Sequence, residues 1–426
     1  MRPGTEPVAS DRAKASAGAG PEGVAYAGSD GEAGAGSDAG AAGQRFNFSL
    51  FLFSYYAHVG TFAIYATLFF AARGMSAPQI GVLMSLIQVM RIVGPNLWGW
   101  VADLTGQRVL VLRLIAFAAI AAFCGMFFAA TYTEFIAVMV LINLFTSAHG
   151  PLADALIMAG LKGRLHDYGR IRMWGSIGFI GAVLGTGYLL EWLGVARLPW
   201  IAGALLLAVA LASLRLDAAP APAPAHAAPA LWGVLRQPAV LAFFASAALM
   251  AGVHMSLNTF YSLYLAQAGY SKPLIGAMWA LGVLAEVAFF YFQAPLFERF
   301  GARRVMLCAF GAALLRFALI GVAGEFLWLL VLAQLMHAAT FAAHLSAAMI
   351  VMQRWFAGPL LARGQALYMS LAYGVGGTLG GLAMSLCWDR LGAQAVYYLA
   401  ALMALAGGAA AWLSFRWQGA QAARPA

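Results

Sequence analysis

At 426 residues, 63% hydrophobic and only 10% charged, with mean hydropathy +0.80, the chain is too apolar for a water-soluble fold and belongs in a bilayer. Its net charge of +9 reads as membrane topology and attraction to anionic lipid, and argues against a nucleic-acid partner. Cys124, Cys308 and Cys387 stand singly in apolar runs, so no disulfide framework, metal site or cofactor is implied.

Residues 1–44 are Gly, Ala, Ser and Asp with almost no large apolar side chain, too little to offset the entropy of ordering, and they predict a disordered tail. Lacking an apolar core segment, they are not expected to act as a signal peptide. Six apolar runs follow, at 47–71, 77–102, 108–129, 134–161, 170–191 and 197–214. Six more cover 239–267, 273–296, 304–323, 326–353, 362–388 and 394–415. Each is long enough to cross the ~30 Å hydrocarbon core at about 1.5 Å of rise per residue. The expected fold class is therefore an all-α polytopic membrane protein with twelve transmembrane helices. Its domains are an N-terminal bundle over 45–214, a linker over 215–237 whose Pro-Ala alternation at 217–230 is extended, and a C-terminal bundle over 238–416. Residues 417–426 form a short tail.

With the amino terminus in the cytoplasm, the inner loops collect most of the basic residues, including Arg45, Arg108, Arg113, Lys162, Arg164, Arg170, Arg172, Arg215, Arg303 and Arg304. The outer loops keep only Arg73, Arg197, Lys272 and Arg390. That asymmetry is the positive-inside rule, and it places both termini inside the cell membrane.

Helix one carries Tyr55, His58, Thr61 and Tyr65 at spacings of three and four, hence on one face. Such a stripe lines a wet cavity or bonds neighbouring helices. Helix two holds Arg91 at mid-bilayer depth with Gln88, Pro95 and Trp98 beside it; a cation there costs ~3 kcal/mol or more unless an anion or water meets it. Helix four sets Asn143, Ser147, Gly150 and Asp154 on one face, interrupted by Pro151, and broken helices at membrane depth often mark a binding site. Helix five opens on Arg170 and Arg172 and continues with Gly178, Gly181, Gly185 and Gly187, a spacing that lets backbones approach.

In the second half, helix seven offers His254, Asn258 and Tyr261. Helix eight places Trp279, Gly282, Glu286, Phe289 and Gln293 on one face, a lone carboxylate flanked by aromatic surface. Helix nine brings Arg316, and helix ten Gln334, His337, Phe341 and His344 with Thr340 beside them. The two histidines are seven apart, on one face but two turns separated, too far for a usual metal pair.

The halves are copies. Subtracting 195 places Gly269, Ser271, Pro273, Ile275 and Gly276 on Gly74, Ser76, Pro78, Ile80 and Gly81. The same shift sets Glu298, Gly301 and Arg303 on Asp103, Gly106 and Arg108, and Glu286 on Arg91.

Two six-helix halves with an acid-x-x-Gly-x-Arg loop after the second helix of each resemble the major facilitator superfamily over roughly 45–416. The resemblance implies that Gly99, Asp103, Gly106 and Arg108, with Glu298, Gly301 and Arg303, form loops that tie the halves together on the cytoplasmic side. The strings Pro151-Leu-Ala-Asp154, Tyr168-Gly-Arg-Ile-Arg172-Met-Trp174, Gly269-Tyr-Ser, Trp279 through Glu286-Val, Arg316, and His337 through His344-Leu resemble the 3-phenylpropionate permease group and its oligosaccharide and nucleoside symporter relatives. The lactose permease branch is similar in having a carboxylate on helix eight, arginine on nine and histidine on ten. Its proton-carrying glutamate, one turn after that histidine, is replaced here by Thr340.

On that resemblance the chain is expected to be a monomeric proton-coupled symporter of a small organic solute, with an aromatic carboxylate favoured and a sugar or nucleoside as the alternative. Glu286, then Asp154, are the proton carriers, because desolvation favours the neutral carboxyl. Arg91 and Arg316 would hold a substrate carboxylate or pair with Glu286. His254, Asn258, Tyr261, Trp279, His337, His344, Tyr55, His58 and Asn143 complete the expected binding surface. No Gly-x4-Gly-Lys-Ser/Thr loop of a primary pump is present.

Overall fold

A computed structural model describes residues 30–161, 165–217 and 232–422. Lys162, Arg164, residues 1–29, the Pro-Ala segment at 218–231 and the last four residues lie outside the described part. Residues 44–426 form one compact unit, distinct from 1–43. Helix α1 (Asp30–Ala72) begins inside the stretch read as tail.

Among the described residues, twelve long helices follow the expected order. They are α1, α2 (Ala77–Thr105), α3 (Arg108–Phe128), α4 (Tyr132–Leu161), α5 (Leu165–Leu193) and α6 (Leu198–Ser213), then α7 (Pro238–Gln267), α8 (Lys272–Phe292), α9 (Ala294–Val322), α10 (Leu327–Met352), α11 (Arg363–Leu391) and α12 (Ala393–Ala422). Among the described residues, eleven of them, α2 to α12, are long and apolar enough to cross a membrane. In α1 the apolar run is diluted by Asn47, Ser54, His58 and Thr61, because it spends its polar groups on neighbouring helices.

The repeated residues are helix punctuation. Gly74 and Gly269 sit at φ 80° and 85°, where a Cβ is disfavoured. Each is followed by a serine that caps the next helix: Gln79 N–H donates to Ser76 Oγ and Leu274 N–H to Ser271 Oγ. Gly106 and Gly301 serve the opposite end at φ 68° and 70°, Gly301 breaking α9 so that its membrane part starts at Ala302. Beside Gly106, Arg108 donates to Asp103 at 2.7 Å, a pair made within the first half. Arg113, one of the topology-setting arginines, donates to the carbonyls of Ser213, Leu214 and Leu216, closing the last turn of α6.

The halves meet along two seams, α2 on α11 and α5 on α8. The first is continuous. Ser85 and Gln88 of α2 abut Gly381 and Gly377 of α11, and Ile92 lies over Gly374. The second is confined to the end where α2 and α8 begin, here called the tight end. There Val183 and Gly187 of α5 meet Gly276 and Lys272 of α8, Tyr65 Oη donates to Val183 O at 2.8 Å, and Lys272 pairs with Glu191 at 3.1 Å. Beyond that point α5 and α8 part and a cavity opens between the halves.

The glycine stripe of α5 behaves otherwise than its spacing suggests. Gly178 packs on the Phe53 backbone and Gly187 on Lys272, but Gly181 and Gly185 have nothing near them. Their counterparts Gly376 and Gly380 do pack, on Ala248 and Gly252 of α7.

Candidate functional site

The cavity encloses about 610 Å³. Among the described residues its charged lining is three arginines, Arg91, Arg172 and Arg316, against the single carboxylate Glu286. Tyr56, Phe179, Trp279, Phe290, Phe341 and Tyr373 supply aromatic wall, and Gln88, His254, Asn258, Gln334 and His337 supply neutral polar groups.

Arg91 projects into this space, exposed, and forms no hydrogen bond or ion pair with any described residue. Arg172 lies with its guanidinium 4.6 Å from the Tyr56 ring centre. Its charge acts on Glu286 across the cavity and on Asp154 behind it. The sequence gives Arg172 to topology and to the Tyr168–Trp174 string that carries the permease resemblance, but not to the expected binding surface. A cation about two turns into a membrane helix, in register with Tyr168 and Ser176, is the signal that marked it.

Arg316 is fully buried and is held by four neutral acceptors. Its Nε donates to Ala333 O at 2.7 Å, Nη1 to Thr340 Oγ1 at 2.8 Å and to His337 Nδ1 at 3.0 Å, and Nη2 to Gln334 Oε1 at 3.0 Å. A guanidinium only donates, so His337 Nδ1 is an acceptor and the ring's proton sits on Nε2. That nitrogen faces Glu286 Oε2 at 3.6 Å. Arg316, His337 and Glu286 are thus one chain from α9 through α10 to α8, with Thr340 bracing its root.

Trp279 lines the cavity, its indole N–H donating to Ser262 at 3.1 Å. Tyr261 stands behind it, edge-on at 5.8 Å and fully buried. On α8 the cavity face runs through Val283, Val287 and Phe290 rather than Phe289.

Other expected site residues lie away from the cavity. Tyr55 packs edge-on to His149 of α4, His58 bonds Ala202 O of α6 at 3.0 Å, and Thr61 bonds Thr186 of α5 at 2.8 Å. The polar stripe of α1 ties helices together, and the face about 100° round, Tyr56, Val59 and Ala63, lines the cavity instead. No residue of α4 reaches it. Asn143 turns back to Met139 O at 2.8 Å, and Asp154 accepts from Tyr168 at 3.3 Å. The break in α4 falls at Ser147–Ala148, with Pro151 in the first turn of the next segment.

His344 is displaced for a different reason. Residues Ala338–Ala343 form a wide π-turn, which underwinds α10, so seven residues no longer return to the same face. His344 leaves the cavity that His337 enters and joins a separate void beside His254.

Residues 46–399 match the model of the MFS_1 like family. The probable 3-phenylpropionic acid transporter of Escherichia coli K12 is 29% identical over 366 residues, covering 83% of this chain and 93% of that protein. The maltose permease of Geobacillus stearothermophilus is 28% identical over 274 residues, covering 63% of this chain and 69% of the relative. The crystal structure of the nucleoside transporter NupG (D323A mutant) superposes with a TM-score of 0.78 at 19% identity, covering 87% of this chain and all of that one. A bundle of this topology, enclosing a charged cavity between two repeats and matched over most of its length, belongs to the MFS_1 like family and is a membrane transporter.

Proposed function

We propose that the chain is a proton-coupled symporter of a small organic anion, an aromatic carboxylate of the phenylpropionate kind. It works as a monomer in the cell (inner) membrane, with both termini and the wide end of the cavity in the cytoplasm. The observation that carries the reading is the lining of the cavity: three arginines, one carboxylate and a ring of aromatic side chains. An anion with an apolar body satisfies both parts of it, the charge by Arg91 and Arg172 and the ring by Tyr56, Phe179, Trp279 and Phe290. The name of the Escherichia coli relative points the same way.

Coupling follows from competition for Arg172. An ionised Glu286, fed on its other side by the His337 Nε2–H, shares the field of Arg172. A substrate carboxylate entering beside it meets a like charge, and protonation of Glu286 removes that charge and leaves Arg172 to the substrate. Proton and anion therefore load together. Asp154, the second candidate carboxyl, reaches the cavity only through the charge of Arg172. The Asp103, Gly106 and Arg108 loop, with its twin at Glu298, Gly301 and Arg303, closes the wide end in the other half of the cycle.

Glu286→Gln in proteoliposomes tests this with labelled 3-phenylpropionate. Accumulation driven by an imposed pH gradient should vanish while exchange down a substrate gradient survives. Undiminished uphill uptake removes Glu286 from coupling, and preferential uptake of maltose or a nucleoside by the wild type overturns the substrate class.

A further inference from the structure

Of the histidines on the cavity wall, His337 cannot receive a proton from Glu286. Its Nε2 already carries one, and Arg316 occupies Nδ1. His254 is set up the opposite way. Its Nδ1 lies 2.9 Å from Met250 O, and a carbonyl only accepts, so Nδ1 bears the proton and Nε2 is a bare lone pair. That Nε2 is buried and unpartnered, and so is Nε2 of His344.

Both histidines line a void of about 10 Å³ between α7, α10 and α11, together with Thr340, Phe341, Tyr368 and Tyr373. The volume is at the lower limit for one water molecule, about 10 to 15 Å³. The two histidines that line it each carry a buried ring nitrogen without a partner, the kind of polar group such a water needs. The void and the substrate cavity share His254, Phe341 and Tyr373.

We propose that this void is a water site bridging His254 Nε2 and His344 Nε2, and that the bridged pair receives the coupled proton on the wide side of the membrane. The second clause rests on the proton-coupled reading above, whereas the first does not. The step balances with water as the carrier. The Glu286 O–H bond breaks to a cavity water, which passes a proton on to the bridging water; the bridging water gives one of its protons to His254 Nε2, forming the N–H bond, and is left neutral, accepting from that N–H while donating to His344. The charged and titratable groups around His254 are Arg316 on α9, His337 and His344 on α10, and Tyr368 and Tyr373 on α11. The π-turn of α10 makes the arrangement possible, since it turns His344 toward His254 and away from His337.

The test uses full-length protein in lipid, with 15N-labelled histidine. Solid-state NMR should show His254 in the Nδ1–H form with a cross-peak from Nε2 to water protons, lost in His344→Phe, whose ring fills the void. A His254 protonated on Nε2, or one without water contact, overturns the site. In proteoliposomes, His344→Phe should lower pH-gradient-driven accumulation about tenfold and leave substrate exchange in place, which also shows that the variant is folded. His344→Gln, which keeps a hydrogen-bonding end, should recover most of the loss. Unchanged uphill uptake in His344→Phe overturns the proton role. If the wild type itself ignores the pH gradient, the symport reading fails, and the NMR arm alone decides the water site.

Discussion

Arg316 shows why residue identity at a buried charge outweighs residue charge. Its planar fork reaches four acceptors on α10, at Ala333, Gln334, His337 and Thr340. A lysine ammonium is a point donor and cannot span them. Arg316→Lys should therefore strand at least two buried acceptors at ~1–3 kcal/mol each, release His337 from its tautomer and abolish uphill uptake. Thr340→Val removes one acceptor and should cost about 1 kcal/mol. Thermal unfolding of the two purified variants checks the order, and an Arg316→Lys protein as stable as the wild type would show that the fork is not what positions His337. At this scale the sequence was legible where a charge had no alternative. Arg91, Glu286 and Arg316 each sit mid-helix in an apolar run, and each lines the cavity. It was less legible for groups with a second way to be satisfied. Asn143, His58 and Tyr55 are polar stripe residues that find backbone or ring partners inside the first half, and spacing alone does not separate that use from a ligand contact.

At the scale of the element, the lengths of the apolar runs located the long helices of the described residues and the offset of 195 paired their ends, because bilayer thickness fixes length and glycine at positive φ fixes the ends. Rotation about the helix axis is what periodicity could not supply. The π-turn at Ala338–Ala343 parts His344 from His337, and the inward face of α1 is set by packing one residue away from its polar stripe. The same limit applies to the α5 glycines, and it yields a contrast. A Cβ on Gly276 of α8 would lie 2.6 Å from the backbone oxygen of Val183 and 2.6 Å from Tyr65 Oη. A backbone obstacle cannot rotate aside, so Gly276→Val has to push α8 off α5. Around Gly181 there is open space, and alanine there should stabilise α5 by about 0.5–1 kcal/mol through its better helix propensity. Initial uptake rates should thus fall at least tenfold for Gly276→Val and hold for Gly181→Ala. Equal rates in the two variants would mean that close approach at the tight end is not required for transport.

For the molecule as a whole, the tight end has to hold one conformation and still let go. Its charged contact suits that requirement. Glu191 accepts from both the Nζ and the backbone N–H of Lys272, at 3.1 and 3.0 Å, yet the two side chains are 45% and 27% exposed. A pair so hydrated is worth at most about 1 kcal/mol, a few-fold in a conformational equilibrium. The rest of the seam is Tyr65 on Val183 O and Lys272 O and the apposed glycines, contacts that separate without leaving a buried charge alone. Neutralising the pair with Glu191→Gln should shift the balance between conformations only a few-fold. A covalent tether across the same gap should stop the cycle. In a protein whose Cys124, Cys308 and Cys387 are replaced by serine or alanine, Glu191→Cys with Lys272→Cys, joined by a short cleavable bifunctional thiol reagent, is expected to hold the tight end shut. Uptake should fall to background on tethering and return on cleavage, while 3-phenylpropionate still binds from the wide end by equilibrium titration. Continued transport by the tethered protein would show that α5 and α8 need not part there, and alternating access would then require a different gate.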